Sequence, residues 1–283
     1  MLDAQAIPAR SGEPLVGGYR RLADVCEALR FSVLEAGQPA PSADQGWCSV
    51  AELAQCRDRL VEAEARRISA RYGCAVPGHV AASRLLHHYL WSACLLISGP
   101  WYLDRRVPRL RPADIWIEAA TGDLAVRPGR LTRMAGDRVG ELRWSGDGEV
   151  SSEEELRAEL RAAVVAHAAP VLEAFRPAVK RGDRALWGMV TDDLVSGIWY
   201  LGRMLGEEER AVAAACAVLP GATPPLPGAA AFRRLPADAP AADPGPLTRT
   251  RLGCCLYYTI RPADTCLTCP RLTDTERLRR LAV

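Results

Sequence analysis

Four thiols crowd a short stretch near the C-terminal end of the sequence: Cys254-Cys255, ten residues, then Cys266-Leu267-Thr268-Cys269-Pro270. Such density in a chain expected to stay reduced points to a metal centre rather than to packing or disulfides. Four thiolates hold either one zinc ion or an iron–sulfur cluster. The Cys266-x2-Cys269 pair chelates readily, because two intervening residues let a loop turn both sulfurs inward. Cys254 and Cys255 are harder to place. Adjacent side chains in an extended segment point apart, so bringing both to one tetrahedral ion needs a contorted backbone. Structural zinc usually takes its ligands in spaced pairs, of which this segment has one. A two-iron rhomb is wider than a single ion, and four ligands are what it requires. Spacing alone assigns no sulfur to a particular metal.

The Cys-Cys-x10-Cys-x2-Cys pattern, with proline after the last cysteine, resembles that of FhuF-type ferric-siderophore reductases. More loosely, Arg184-Ala-Leu-Trp187-Gly and Ser196-Gly-Ile-Trp199-Tyr200 are similar to the helical body of that family. The resemblance implies a [2Fe–2S] cluster held by Cys254, Cys255, Cys266 and Cys269. It implies a cytoplasmic oxidoreductase that reduces ferric iron held in a siderophore by one electron. Two readings from other classes stand beside it: an electron carrier for another acceptor, and a zinc-stapled protein that binds a siderophore without redox activity. The spacing is not that of plant-type or bacterial ferredoxins.

A lone cluster needs a separate electron donor, a ferredoxin or flavoprotein, because no Gly-rich dinucleotide fingerprint follows a strand here. No Ser-His-Asp constellation is visible either. The chemistry asks little of acids and bases: hard siderophore oxygens grip Fe(III) strongly and Fe(II) weakly, so one electron labilises the complex. Substrate contacts are expected from Ser196, Trp199 and Arg203, which with Asp192 form a second stripe on a helix whose core face is Trp187, Val190, Leu194, Ile198, Leu201 and Leu205. Tyr257 and Arg251 beside the cysteines are added to this set. Leu256, Tyr257 and Tyr258 are expected to lid the cluster and tune its potential. Arg249, Arg251 and Arg261 either attract an anionic partner or are simply solvated. His87 and His88 project about 100° apart on a helix, which suits core or interface roles better than shared metal ligation.

The elements that position these groups are mostly helical. Three-to-four spacing of apolar residues predicts helices over Gly18–Leu34, Ser49–Arg71 and Gly78–Ile97, with Ser49 and Glu52 at capping-box spacing and Ser98-Gly99-Pro100 as a stop. Ile115–Glu118, Leu124–Val126 and Val139–Trp144 read as short strands, Thr121-Gly122-Asp123 as a turn, and Gly146-Asp147-Gly148 as the close of this section. Helices return over Ser152–Phe175, Arg184–Leu205 and Glu207–Val218, the first opened by Ser-Glu-Glu-Glu. The Pro/Gly/Ala-rich stretch 219–250 predicts an extended connector without regular structure. The fold class is therefore mainly helical α+β, with a small antiparallel β element between Ile115 and Trp144. The expected parts are a body over 1–218, the connector 219–250, and a cluster segment 251–283. The segment is too short to bury a core of its own.

Composition agrees with a globular chain: of 283 residues, 49% are hydrophobic and 25% charged. A net charge of +2 provides no strong field for nucleic acid. The basic residues are almost all arginine, Lys180 being the single lysine. The run Tyr89–Leu103 is apolar but shorter than a membrane span needs, so no span is expected there. The start of the sequence has no secretory signal pattern. Six further cysteines, Cys26, Cys48, Cys56, Cys74, Cys94 and Cys216, are expected as buried small hydrophobes, with Cys48 and Cys56 close enough in sequence to oxidise.

Overall fold

A computed structural model describes residues 13–35, 37–137, 147–236 and 245–281. The described chain is a mainly helical α+β protein. It runs through α1 (Glu13–Val25), β1 (Phe31–Val33), β2 (Trp47–Ser49), α2 (Leu53–Tyr72) and α3 (Gly78–Asp104). The middle holds β3 (Arg106–Pro108), β4 (Ile115–Glu118), β5 (Leu124–Val126), β6 (Leu131–Met134) and β7 (Gly148–Val150). Then come α4 (Glu153–Val179), α5 (Asp183–Met204), α6 (Glu208–Val218), β8 (Phe232–Arg234), β9 (Leu247–Arg249) and α7 (Asp274–Leu281).

The centre of the molecule is α3. A helix apolar on all sides must be enclosed, and α3 is packed by α1, α2, α4 and α5, with Leu86, Leu90, Leu95, Leu96 and Ile97 all at or below 1% exposure. The predicted stop after Ile97 is overturned, since the helix runs on through Pro100 to Asp104. Pro100 removes one backbone donor, but burying Trp101 and Tyr102 in the last turn offsets that loss. Gly99 has a packing role: a Cβ there would lie 2.7 Å from Leu22 Cδ1 of α1, so a larger residue would force that buried leucine to shift.

Other boundaries also move. The first helix ends at Val25, and Phe31–Val33 of the predicted span is instead a strand parallel to β5. The apolar spacing through Leu29 and Val33 reflects two buried elements, not one helix. Ser49 makes no side-chain cap; it closes β2, and a 3-10 turn over Val50–Glu52 leads into α2. By contrast, α4 starts as expected: Ser152 Oγ accepts the Glu155 N–H at 3.2 Å, and the Glu155 carboxylate accepts the Ser152 N–H. Among the described residues α4 is long and apolar enough to cross a membrane by length and composition, yet Leu156, Leu160, Val164, Val171 and Phe175 are buried in the core.

The β4–β5 hairpin is antiparallel and turns at Gly122, whose φ of +82° favours glycine. It does not stand alone. Strands of three residues at β1 and β2 flank it in a four-stranded mixed sheet ordered β1-β5-β4-β2. The expected purely antiparallel element is thus incomplete, because three-residue strands are too short to show alternation. Strand β7, at Gly148, pairs parallel to β6 where only a closing turn was expected. The predicted strand Val139–Trp144 lies outside the described residues.

The connector is corrected too. Within it β8 and β9 form an antiparallel hairpin whose Arg249 is fully buried. Of the six scattered cysteines, Cys26 and Cys94 are buried, Cys74 is partly exposed and Cys216 exposed, while Cys48 and Cys56 are joined as a disulfide.

Candidate metal centre

Two neighbouring acids on α5 hold the cysteine segment in place. Asp192 and Asp193 are wholly buried, a costly placement unless each is paired and hydrogen-bonded. Asp192 Oδ1 accepts Arg249 Nη2 at 2.7 Å and the Leu252 N–H at 3.0 Å, while its Oδ2 accepts the Gly253 N–H at 2.7 Å. Asp193 Oδ1 accepts Arg251 Nη2 at 2.8 Å and lies 2.8 Å from His87 Nδ1 on α3. Burial pushes both carboxyls upward, and the Arg249 and Arg251 charges pull them back. Burial likewise holds the His87 imidazole well below its usual range, helped by Arg251 and Arg84. The chain thereby reaches Cys254 already fixed to α5. Gly253 makes the approach possible: a Cβ would lie 3.2 Å from Met189 N and 3.3 Å from Met189 Cα.

The vicinal cysteines need an unusual backbone, and the structure supplies one. Leu256, directly after them, sits in the left-handed region at φ +63°, a conformation that costs a branched residue about 1 kcal/mol or more. Its N–H points to Cys254 Sγ at 3.4 Å. The second pair rides on a tight turn in which Cys269 N–H bonds Cys266 O at 2.9 Å. Arg277 of α7, 2% exposed, clamps this turn by donating to Leu267 O at 2.8 Å and Cys269 O at 2.7 Å. Arg251 N–H bonds Thr268 O at 3.0 Å and ties the two cysteine loops together.

The result is one narrow cavity lined by Cys254, Cys255, Cys266 and Cys269, with Tyr257, Tyr258 and Arg251 among its walls. Cys255 and Cys269 are buried, Cys254 is partly exposed, and Cys266 is the exposed corner. Residues 251–271 match the family model of the FhuF 2Fe-2S C-terminal domain. This segment is a FhuF-type 2Fe-2S domain. Its group is a [2Fe–2S] cluster. No curated protein and no solved structure matched the chain.

The residues of the FhuF-type segment fit such a group. Four cysteines line one cavity, and thiols are the donor type that a cluster of this kind takes. Hydrogen-bond donors to sulfur are already placed: Arg84 Nη1 lies 3.7 Å from Cys255 Sγ, beside the Leu256 N–H at Cys254. Donors of this kind favour the more negative oxidation state of a thiolate-bound metal. Loss of water raises the Cys254 thiol and lifts Cys266 to about 11, even though the Cys266 residue as a whole is exposed and Arg251 opposes the shift. Loading a metal must therefore displace protons from these sulfurs.

The expected substrate contacts separate into two places. Tyr257 and Arg251 sit at the cluster cavity. Ser196, Trp199 and Arg203 face the β8–β9 hairpin and α6: Ser196 Oγ accepts Arg249 Nη1 at 3.4 Å, and Trp199 Nε1 donates to Glu208 at 2.8 Å. The Trp199 ring meets Phe232 edge-on at 5.3 Å, and Arg203 lies over it at 5.8 Å. Arg249 and Arg251, considered as free attractive charges from the sequence, are instead buried ion-pair partners, whereas Arg261 is exposed and lies over Tyr72. Tyr257 and Tyr258 do wall the cavity, the latter under Arg271 at 4.2 Å. Sequence reasoning missed Arg84 and Arg277. The Asp-Asp step inside an apolar helix was the available signal that buried cations would arrive from elsewhere.

Proposed function

We propose that this protein is a cytoplasmic ferric-siderophore reductase whose [2Fe–2S] cluster is held by Cys254, Cys255, Cys266 and Cys269. The carrying observation is that these four cysteines line one cavity inside a segment matching a FhuF-type 2Fe-2S domain. When bound, the cluster supplies storage for one electron. The overall change is chelated Fe(III) plus one electron, delivered by a separate ferredoxin or flavoprotein, giving Fe(II). Hard chelate oxygens hold Fe(II) poorly, so the metal leaves.

The chain's own residues bind, orient and insulate. Asp192 and Asp193 fix the entry of the first cysteine loop through Arg249, Arg251 and two backbone N–H groups. Arg277 and the Arg251 N–H fix the second loop against the first. Arg84, Arg251 and the Leu256 N–H present positive charge to the sulfurs, which eases acceptance of an electron. Tyr257 and Tyr258 restrict water on the inner side. Leu267, next to Cys266 in the chain, is 37% exposed, and this apolar surface beside the exposed corner suits a donor protein.

Anaerobically reduced protein mixed with ferric chelates tests the reading. The reductase predicts that absorbance of the oxidised protein returns while a chromogenic Fe(II) chelator captures one equivalent of iron. Reoxidation no faster than that caused by an unrelated oxidant of similar potential, with no Fe(II) captured, would make the protein an electron carrier for something else.

A further inference from the structure

The two cysteine loops meet at the surface. Arg251 N–H bonds Thr268 O at 3.0 Å, so their chain neighbours Leu252 and Leu267 flank one backbone bond. Both are exposed, two of the five large apolar side chains left so among the described residues. Leu252 is nevertheless held firmly. Cβ atoms added at Gly188 of α5 and at Gly228 would lie 3.3 and 2.7 Å from its side chain. Cys254 and Cys266 are close to these leucines in the chain, and they are the two cysteines of the four that are not buried. On this side the metal centre comes nearest to solvent.

The charges around this face are one-sided. Gly253 is pressed against the first turn of α5, where an added Cβ would lie 3.4 Å from Ala185 O. Arg184 shares the helix face of Gly188, four residues on, and is exposed. Burial raises the Cys254 thiol, and the charge of Arg181, just before α5, acts against that rise. Arg271, two residues past Cys269, is exposed and lies at 4.2 Å over Tyr258 of the cavity wall. None of these three arginines meets a carboxylate among the described residues. The acids closest to them in the chain are already taken, Asp183 by Arg176 and Asp274 by Arg233 and Arg277. Three uncompensated cations on a chain of net charge +2 make a local concentration of positive charge.

We propose that this face is the docking surface for the electron donor, and that the donor is a small acidic one-electron carrier protein. The proposal rests on the cluster of the reading above but not on its ferric substrate. An apolar centre with a charged rim is the form a protein interface takes. Cations at the rim steer an acidic partner into encounter, while the leucines exclude water beside Cys254 and Cys266. A contact of this kind, small and rimmed by charge, suits a carrier that must leave after each transfer. One electron passes from carrier to cluster, oxidising the former and reducing the latter, and no bond forms or breaks.

The probe is an acidic plant-type [2Fe–2S] ferredoxin. Its binding is followed by NMR with both proteins oxidised, and electron transfer by stopped flow after the ferredoxin is reduced without air. Both affinity and rate should fall steeply as salt rises. Combining Arg184→Glu with Arg271→Glu should lower each by about tenfold or more at low salt. Iron and sulfide content, and the extent of reduction by dithionite, should match wild type. Arg20→Glu on α1, an exposed cation remote from the cysteines, should change neither affinity nor rate. Binding and transfer that ignore both salt and the paired variant overturn the docking surface. So does a loss confined to reoxidation by an anionic ferric chelate, which would give these cations to the substrate. Ferredoxin binding and transfer as expected, with no Fe(II) released from any chelate, would leave the docking surface standing and remove the reductase reading.

Discussion

The carboxylate of Asp192 accepts the N–H of Gly253 at 2.7 Å, one residue before the first cysteine of the cluster segment. Asp192 lies on the same stripe as Ser196, Trp199 and Arg203 of α5, where the sequence suggests a ligand surface. In the structure, Asp192 and Ser196 receive the buried guanidinium of Arg249. The geometry of the metal centre therefore depends on a buried ion pair in the helical body.

Asp192→Asn tests this dependence. The substitution keeps the shape but leaves Arg249 without its counter-charge in a site of 0% exposure. Breaking a buried pair from one side costs about 3–5 kcal/mol. Denaturant unfolding should show that loss, and the cluster should be shed faster on standing in air. Unchanged stability would mean that the pair contributes little.

Arg277→Ala addresses the second loop. Removing its guanidinium leaves the carbonyls of Leu267 and Cys269 without their charged donor. The expected stability loss is about 2–3 kcal/mol. Iron retention after gel filtration should drop, while the helical circular dichroism of the body stays close to wild type. Arg277→Lys should rescue only part of this, because a point charge cannot serve two carbonyls as the planar fork does.

His167 supplies a pH signature remote from the metal. Its Nδ1 lies 2.8 Å from Leu110 O, which only accepts, so Nδ1 carries the proton and Nε2 accepts from Tyr89 OH at 2.7 Å. Burial lowers its pKa from 6.5 to about 4, the Leu110 bond and Asp114 opposing the shift. The unfolded chain therefore binds a proton that the folded one refuses between these values. Stability from this source is complete above about pH 6.5 and falls as pH drops toward 4, by about 3 kcal/mol in total. Comparing urea midpoints at pH 7 and pH 4.5 for wild type and His167→Gln checks this: the variant should lose less between the two. An equal loss would assign the acid sensitivity to other groups.

Trp199→Ala tests the α5 stripe as a ligand surface. The indole is partly buried, bonds Glu208 and packs on Phe232, so its truncation should cost about 1–3 kcal/mol of stability. The rate at which a ferric chelate reoxidises the reduced protein should stay at wild type. A marked loss of that rate with stability intact would return the substrate to the α5 stripe.

Much of this was legible in the sequence, and the failures share physical causes. The cysteine pattern named the cluster segment because ligand spacing is local information. Helices α4, α5 and α6 were placed to within a few residues at most sites by their apolar periodicity, although α4 continues to Val179. Strands β1, β2, β3, β6, β7, β8 and β9 were missed since three or four residues carry little alternation, and β5, equally short, was legible beside the turn at Gly122. Pro100 was misread as a stop because its cost is local, whereas the burial that overrides it comes from α1. Arg249 and Arg251 are buried by partners distant in sequence, and no local property of an arginine announces that. Arg84, an ordinary helix residue by its neighbours, becomes notable only when Cys255 arrives from 171 positions away.

The account stands most directly on the metal content of protein reconstituted without air, measured beside its Cys266→Ser variant. It predicts about two irons and two acid-labile sulfides per chain in the wild type, with visible bands that bleach on reduction, and their loss in the variant while helical circular dichroism persists. One zinc per chain with no labile sulfide, or full iron and sulfide retained by Cys266→Ser, would contradict it.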